Sequence, residues 1–285
     1  MRTIFRIGII SVLLLTASSC RKELTESVLS AQDNAAMETE YSEIYDVVSD
    51  YISNDSKTGK TDDLVLPSGA TVTFIDSLLY DGDGIAFTID YGPLQHGGSN
   101  QGILCRDERY RAGKIQVGMT NRWSQTPCVV TIAISSSDNY YVGNGTEMYK
   151  LTGLKTITRT SGSSYSVEVT NATLQRENGV ANWNSNRIVT QTYDAGIGPW
   201  NDVYQITGTA SGTNKNGEAF TVEITTPLKK KIATSCLSTF VSGELLLTNS
   251  NGKVLSVNYD TYGNEACDKT ATVTFNGQSR DIQVW

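Results

Sequence analysis

The chain predicts an all-β protein: an antiparallel sheet or sandwich of repeated hairpins, with one N-terminal amphipathic helix packed on it. Three observations carry this. Short segments alternating apolar with polar residues recur from Ala70 to the C-terminus, and period-two alternation marks a sheet with one buried and one wet face. A hairpin-like pattern occurs twice, at residues 149–170 and 204–225. Only Asp33 to Ile52 shows helical spacing instead.

The chain opens with Arg2 and Arg6, an apolar run from Ile7 to Leu15, and then Thr16-Ala17-Ser18-Ser19-Cys20. A basic start, a short apolar core and small residues before a cleavage point describe a secretory signal over residues 1–19. The run is too short to span a bilayer, which takes about twenty apolar residues. The small residues before Cys20 resemble the lipobox of bacterial lipoproteins, which implies cleavage before Cys20 and its acylation. Two or more acyl chains hold a protein firmly on a bilayer. Residues 20–32 would then form a polar, lipidated tether.

Residues 33–63 hold the helix and a linker. Met37, Tyr41, Ile44, Tyr45, Val48 and Ile52 fall on one helical face, and Ser30 or Asp33 is placed to cap its start. Glu38, Glu40, Glu43, Asp46 and Asp50 lie elsewhere on it with no base among them, and read as a solvated surface. The linker is Ser53-Asn54-Asp55-Ser56-Lys57-Thr58-Gly59-Lys60-Thr61-Asp62-Asp63.

Residues 64–285 form the β domain. Its strands include Ala70–Ile75, Ile85–Tyr91, Lys114–Met119, Val129–Ile134, Tyr165–Val169, Phe220–Ile224, Leu245–Leu247, Val254–Tyr259, Ala271–Phe275 and Ile282–Trp285. In the repeat, Tyr149, Thr152, Gly153, Thr158, Gly162, Val167, Glu168 and Thr170 match identical residues at a constant offset of 55. Each copy reads as a hairpin turning at its second glycine. Arg187–Thr190 and Ser242–Leu245 fit as equivalent third strands, so the domain grows by stacking similar units.

Removing Arg2 and Arg6 with the signal leaves 21 basic residues against 30 acidic ones, a net charge of −9. That argues against nucleic acid or an anionic membrane surface as partner, since both reward a basic face. Cys105, Cys128, Cys236 and Cys267 are an even number in an exported chain, where disulfides persist. Cys236 and Cys267 open the first and third strands of a meander. Those strands stand about 9 to 10 Å apart, twice the strand spacing, so a bond needs both residues at strand ends, where each does lie. Cys236–Cys267 is therefore the expected pair; Cys105–Cys128 follows by elimination, the alternative being that either thiol is simply buried as a small apolar residue.

Several segments together resemble a family of uncharacterised β-rich lipoproteins of the Bacteroidota. They are AFTIDYG, RYRAGKIQV, VVTIAISSSDNYYVGNG with LTGLKTITR, DVYQITGTASGTNKNGEAFTVEITTPL, Cys236 with FVSGELLLT, and VNYDTYGNEACDKTATVTFNG. The likeness spans residues 85–285. It implies a β-rich architecture and an outer-membrane location, on the periplasmic or the surface face, with no activity or site to carry over.

Catalytic constellations are missing from the sequence. His96 is the only histidine, in a glycine-rich loop, so a Ser-His-Asp or Cys-His arrangement would depend on it. No C-x-x-C or H-x-x-x-H spacing offers a zinc site. Asp81-Gly82-Asp83-Gly84 has part of a calcium loop, but its twelfth position is Gly92 where glutamate is needed, and Asp-Gly between strands signals a hairpin. Glu168 and Glu223 recur through the repeat and would need a cleft between them to cleave a glycoside. Trp183, Tyr193 and Trp200, among asparagines of residues 182–204, could present aromatic faces to sugar rings; the competing expectation is that the tryptophans pack against the sheet.

These readings lead to a non-enzymatic, lipid-anchored cell-envelope protein with a structural, adhesive or scaffolding role, needing no cofactor or metal. Its partners would be the membrane, through the N-terminal lipid, and a glycan or protein. The alternatives are a glycan-binding lipoprotein of a polysaccharide-uptake system and a fimbrillin-like pilus subunit. An integral barrel fits poorly despite the aromatic Trp285, because the strands are short and polar.

Overall fold

The structure, a computed structural model, describes residues 28–42, 44, 69–78, 81–95, 101–195 and 201–284, apart from residues 106, 124, 160, 234, 235 and 238. Sixteen strands join in one sheet, and every pairing is antiparallel. In chain order they are β1 (Thr71–Asp76), β2 (Ile85–Asp90), β3 (Ile103–Leu104), β4 (Tyr110–Ala112), β5 (Lys114–Met119), β6 (Cys128–Ile134), β7 (Tyr141–Gly143) and β8 (Met148–Arg159). There follow β9 (Ser164–Arg176), β10 (Gly179–Tyr193), β11 (Val203–Thr213), β12 (Ala219–Lys231), β13 (Ser242–Asn249), β14 (Val254–Asn258), β15 (Thr270–Phe275) and β16 (Gln278–Gln283). From β8 onward each strand pairs with the next in sequence, while β3, β4 and β7 make a short side ladder onto β8. The expected antiparallel β architecture with an N-terminal helix is therefore present, as a single sheet.

Alternation explains the core. Phe87 and Ile89, Ile115 and Val117, Val130 and Ile132, Leu245 and Leu247, and Val273 all point inward and are buried. Their neighbours along each strand face water, which is the period-two pattern of a half-buried strand. The inward residues form one continuous cluster with those of the helix.

The helix, α1, runs over residues 28–42, and Ile44 is also helical and buried. It starts earlier than the sequence indicated, so residues 28–32 belong to the helix and not to the tether, and Ser30 and Asp33 lie within it. Val48 and Ile52 fall outside the described residues. The larger correction concerns its acidic face: Glu38 and Glu40 are enclosed by the sheet, while Glu43, Asp46 and Asp50 fall outside the described residues. Asp33, Glu38 and Glu40 are buried, and each meets an arginine. Arg176 Nη1 lies 2.8 Å from Asp33, Arg187 Nε donates to Glu38 at 3.0 Å, and Arg109 bonds Glu40. Burying a carboxylate is costly unless it is paired and hydrogen-bonded, so these arginines make the enclosure tolerable. Asp33 still shows the strain: burial pushes its carboxyl up, against the pull of Arg176 and the Lys215 amide.

Further hydrogen bonds, none of them to a carboxylate, lock the helix along its length. Asn214 Nδ2 donates to Ser30 Oγ at 2.9 Å and Trp183 Nε1 to Asn34 Oδ1 at 3.0 Å. Tyr41 Oη donates to the Thr152 carbonyl at 2.6 Å, while Lys155 bonds the Tyr41 carbonyl and Lys230 Nζ bonds Ser42 Oγ at 2.7 Å. Partners thus come from β8, β9, β10, β12, the β11–β12 turn and the segment before β4.

Both copies of the repeat are long hairpins, β8–β9 and β11–β12, followed by β10 and β13. The matched glycines Gly153 and Gly208 both take positive φ, +147° and +125°, where the ladder register shifts. A Cβ on Gly153 would sit 2.3 Å from Tyr41 Oη, and one on Gly208 would sit 2.1 Å from the Asn186 carbonyl. Glycine is needed there because the backbone bulges against a neighbour.

Cys236, before β13, and Cys267, before β15, are joined by a disulfide with Cα atoms 5.0 Å apart, within the usual range. The second pairing does not form. Cys105 and Cys128 remain separate buried thiols, whose sulfurs approach the Ile103 and Asn121 carbonyls. They behave as small apolar residues, which an even cysteine count does not reveal.

Beside the disulfide, Lys229 and Lys231 hold the Glu265 carboxylate at 2.8 and 2.9 Å, and their hydrogen bonds keep its pKa below the usual glutamate range. A depressed carboxylate pKa adds stability above the unfolded-state pKa and loses it as pH falls through the folded-state value. Glu265→Gln is therefore expected to lower the melting temperature at pH 7. In thermal scans across pH, its deficit against the unaltered protein should close at pH values below the glutamate range.

Candidate functional site

Strand β10 carries the segment in which the sequence places an aromatic platform. Its alternation divides the residues between two faces. Trp183, Ser185 and Arg187 point inward and are buried, whereas Asn182, Asn184 and Asn186 point outward and are exposed. Among the described residues Trp183 is the largest fully buried side chain, stacked on Tyr41 with ring centroids 5.9 Å apart and covered by the Arg187 guanidinium. It offers no face to a ligand. Tyr193 is exposed at the end of β10, and Trp200 lies outside the described residues. Asp202 is buried, where it accepts from Gln191 Nε2 and from the Ala195 amide, each at 2.9 Å, and so ties the two ends of the β10–β11 connection together.

The asparagines belong to something else. The outward face of β9–β14 forms a trough of about 550 Å³, within the size range of small-ligand sites. Two rows of side chains cross it, set by the ladder register. The first runs Glu168, Asn186, Thr209, Glu223 and Leu246, on five adjacent strands. The second runs Asn184, Ser211, Thr221, Thr248 and Val254. Glu168 and Leu246 stand at the ends of the first row, and between the ends of both rows Glu223 is the one long side chain among short ones. No lysine, arginine or histidine lines it. Asn184 Oδ1 accepts from the Asn171 amide at 2.9 Å, which fixes that amide group and leaves its NH₂ outward.

Glu168 and Glu223 therefore do share a depression, which the sequence did not disclose. They stand three strand steps apart, about 14 Å at the usual strand spacing. Glycoside hydrolysis uses carboxyl pairs about 5 to 9.5 Å apart, a shorter spacing than that between these two backbones. The signal that could have found the trough was Asn-x-Asn-x-Asn at 182–186, a period-two ladder of amides on one face of a strand.

The other residues singled out in the sequence do not join this site. The Asp81–Gly84 segment is the bend between β1 and β2, and the Asp76, Asp81 and Asp83 carboxylates there lie within 4.8 Å of one another. The hydrogen bond that protonated Asp83 donates to the Asp81 carboxylate, with the charge of Asp81, raises the Asp83 pKa. All belong to an open turn with Asp81 and Asp83 exposed. Cys20 and His96 lie outside the described residues. No helix among the described residues is long and apolar enough to cross a membrane. No protein-family model, curated protein or solved structure matches the chain.

Proposed function

We propose that this is a lipid-anchored, non-enzymatic protein of the cell envelope with an adhesive or scaffolding role, and that the β9–β14 trough is its contact surface. The observation that carries this reading is the trough itself: it sets amides, hydroxyls and carboxylates at fixed strand spacing, with its two carboxylates three strand steps apart. Such a surface suits holding more than chemistry. The N-terminal features support the anchor. Eight residue steps separate Cys20 from the start of α1, a reach of at most about 28 Å. The helix starts beside the β11–β12 turn, where the Lys215 amide donates to Asp33 at 2.7 Å. A lipid on Cys20 would hold that end of the sheet toward the bilayer and leave the trough on its flank.

Membrane fractionation tests the anchor. Cys20→Ala is expected to leave the protein in the soluble fraction or unprocessed. A Cys20→Ala protein that stays membrane-bound at the mature size would remove the anchor from this reading.

A further inference from the structure

We infer that the β9–β14 trough binds a neutral, polyhydroxylated chain, a segment of uncharged polysaccharide laid across the strands. The inference rests on the reading of the trough as the contact surface and adds the class of ligand. Charge decides first. Glu168 and Glu223 have no hydrogen-bond or ion-pair partner among the described residues, and no cation lines the depression. Phosphate, sulfate or uronate groups would meet two uncompensated carboxylates there and be repelled.

Hydrogen-bonding capacity decides next. Asn186 offers both a carbonyl and an NH₂ group, Thr209, Ser211 and Thr221 each donate and accept, and an ionised carboxylate accepts at both oxygens. Sugar hydroxyls also donate and accept, so each can be matched by this set, and neighbouring hydroxyls can share one carboxylate. A basic peptide would use the carboxylates and leave most of the central hydroxyls unmatched. Leu246 and Val254, both partly exposed at the β13–β14 side, add an apolar patch for the C–H face of a ring. The two rows repeat at the strand spacing across five strands, which suits an extended chain more than a single small molecule.

The test uses the full chain purified in detergent and isothermal titration with defined probes: linear hexasaccharides of neutral glucose, mannose and xylose, hexagalacturonic acid, and hexalysine. Saturable binding of at least one neutral hexasaccharide is expected, with none of hexagalacturonic acid. Thr209→Trp fills the centre of the trough from an exposed strand position that tolerates an aromatic residue, and should weaken that binding by at least about tenfold with unchanged melting. Glu168→Gln with Glu223→Gln should weaken it about tenfold, the scale of one charge-assisted hydrogen bond. Absence of neutral-glycan binding, binding unchanged in Thr209→Trp, or binding of hexalysine alone would overturn the inference. Since the anchor is read by fractionation, it stands or falls separately from these outcomes.

Discussion

Replacing Arg187 with leucine is expected to cost about 3 to 5 kcal/mol of unfolding free energy, the usual consequence of stripping one partner from a buried ion pair. Arg187 and Glu38 are both almost wholly enclosed. The guanidinium meets both Glu38 oxygens and lies over the Trp183 ring. Without it a carboxylate would remain inside the sheet with no countercharge. Removing both charges, as Glu38→Met with Arg187→Met, should recover much of the loss, because two apolar side chains of similar length need no solvation. Denaturant unfolding of the two variants measures this directly. A loss below about 1 kcal/mol, the scale of an exposed pair, would show that the helix is not enclosed.

Trp183→Ala carries an effect of similar size, about 3 to 5 kcal/mol for deleting a large buried aromatic ring. Its ring fills the space between α1 and β10, stacked on Tyr41, and its indole N–H is the partner of Asn34. Truncation leaves a cavity and removes that partner from an amide that is itself buried. Trp183→Phe separates the two contributions. It keeps most of the volume and loses the hydrogen bond, so it should cost about 1 to 3 kcal/mol. Equal losses for Ala and Phe in denaturant unfolding would mean that the ring does not pack as described. Neither change touches the outward face, so binding in the trough should persist in whatever fraction stays folded.

Strands with apolar inward positions were legible from the sequence, whereas β10, with polar inward positions, was legible only as Arg187–Thr190, through its place after the repeat. Lys114–Met119 was read with its observed limits because Ile115, Val117 and Met119 alternate with Lys114, Gln116 and Gly118. Strand β10 obeys the same period, but its inward set includes Ser185 and Arg187, which no hydrophobicity pattern assigns to a core. Arg187 is acceptable inside only because Glu38, 149 residues away, supplies the countercharge. The acidic helix misled for the same reason. Its neutralising bases lie on remote strands, so a helix face taken alone looks as if it must face water. The trough is harder still, being a property of six neighbouring strands. Each contributes short outward residues that are unremarkable by themselves.

The enclosed helix also bears on how the chain acquires its structure. Asp33 finds the Lys215 amide 182 residues away, and Ser42 finds Lys230 at a separation of 188. The segment made first is thus completed only when strands from the second half of the chain arrive around it. Contacts of such long range slow the search, since the entropy of closing large loops is lost before any of them forms. Until then Asp33 and Glu38 lack the arginines of β9 and β10 that pair with them, whereas Glu40 meets Arg109 from the first half of the chain. The contacts that seat α1 are therefore complete only when β8 to β12 and the segment before β4 are present together.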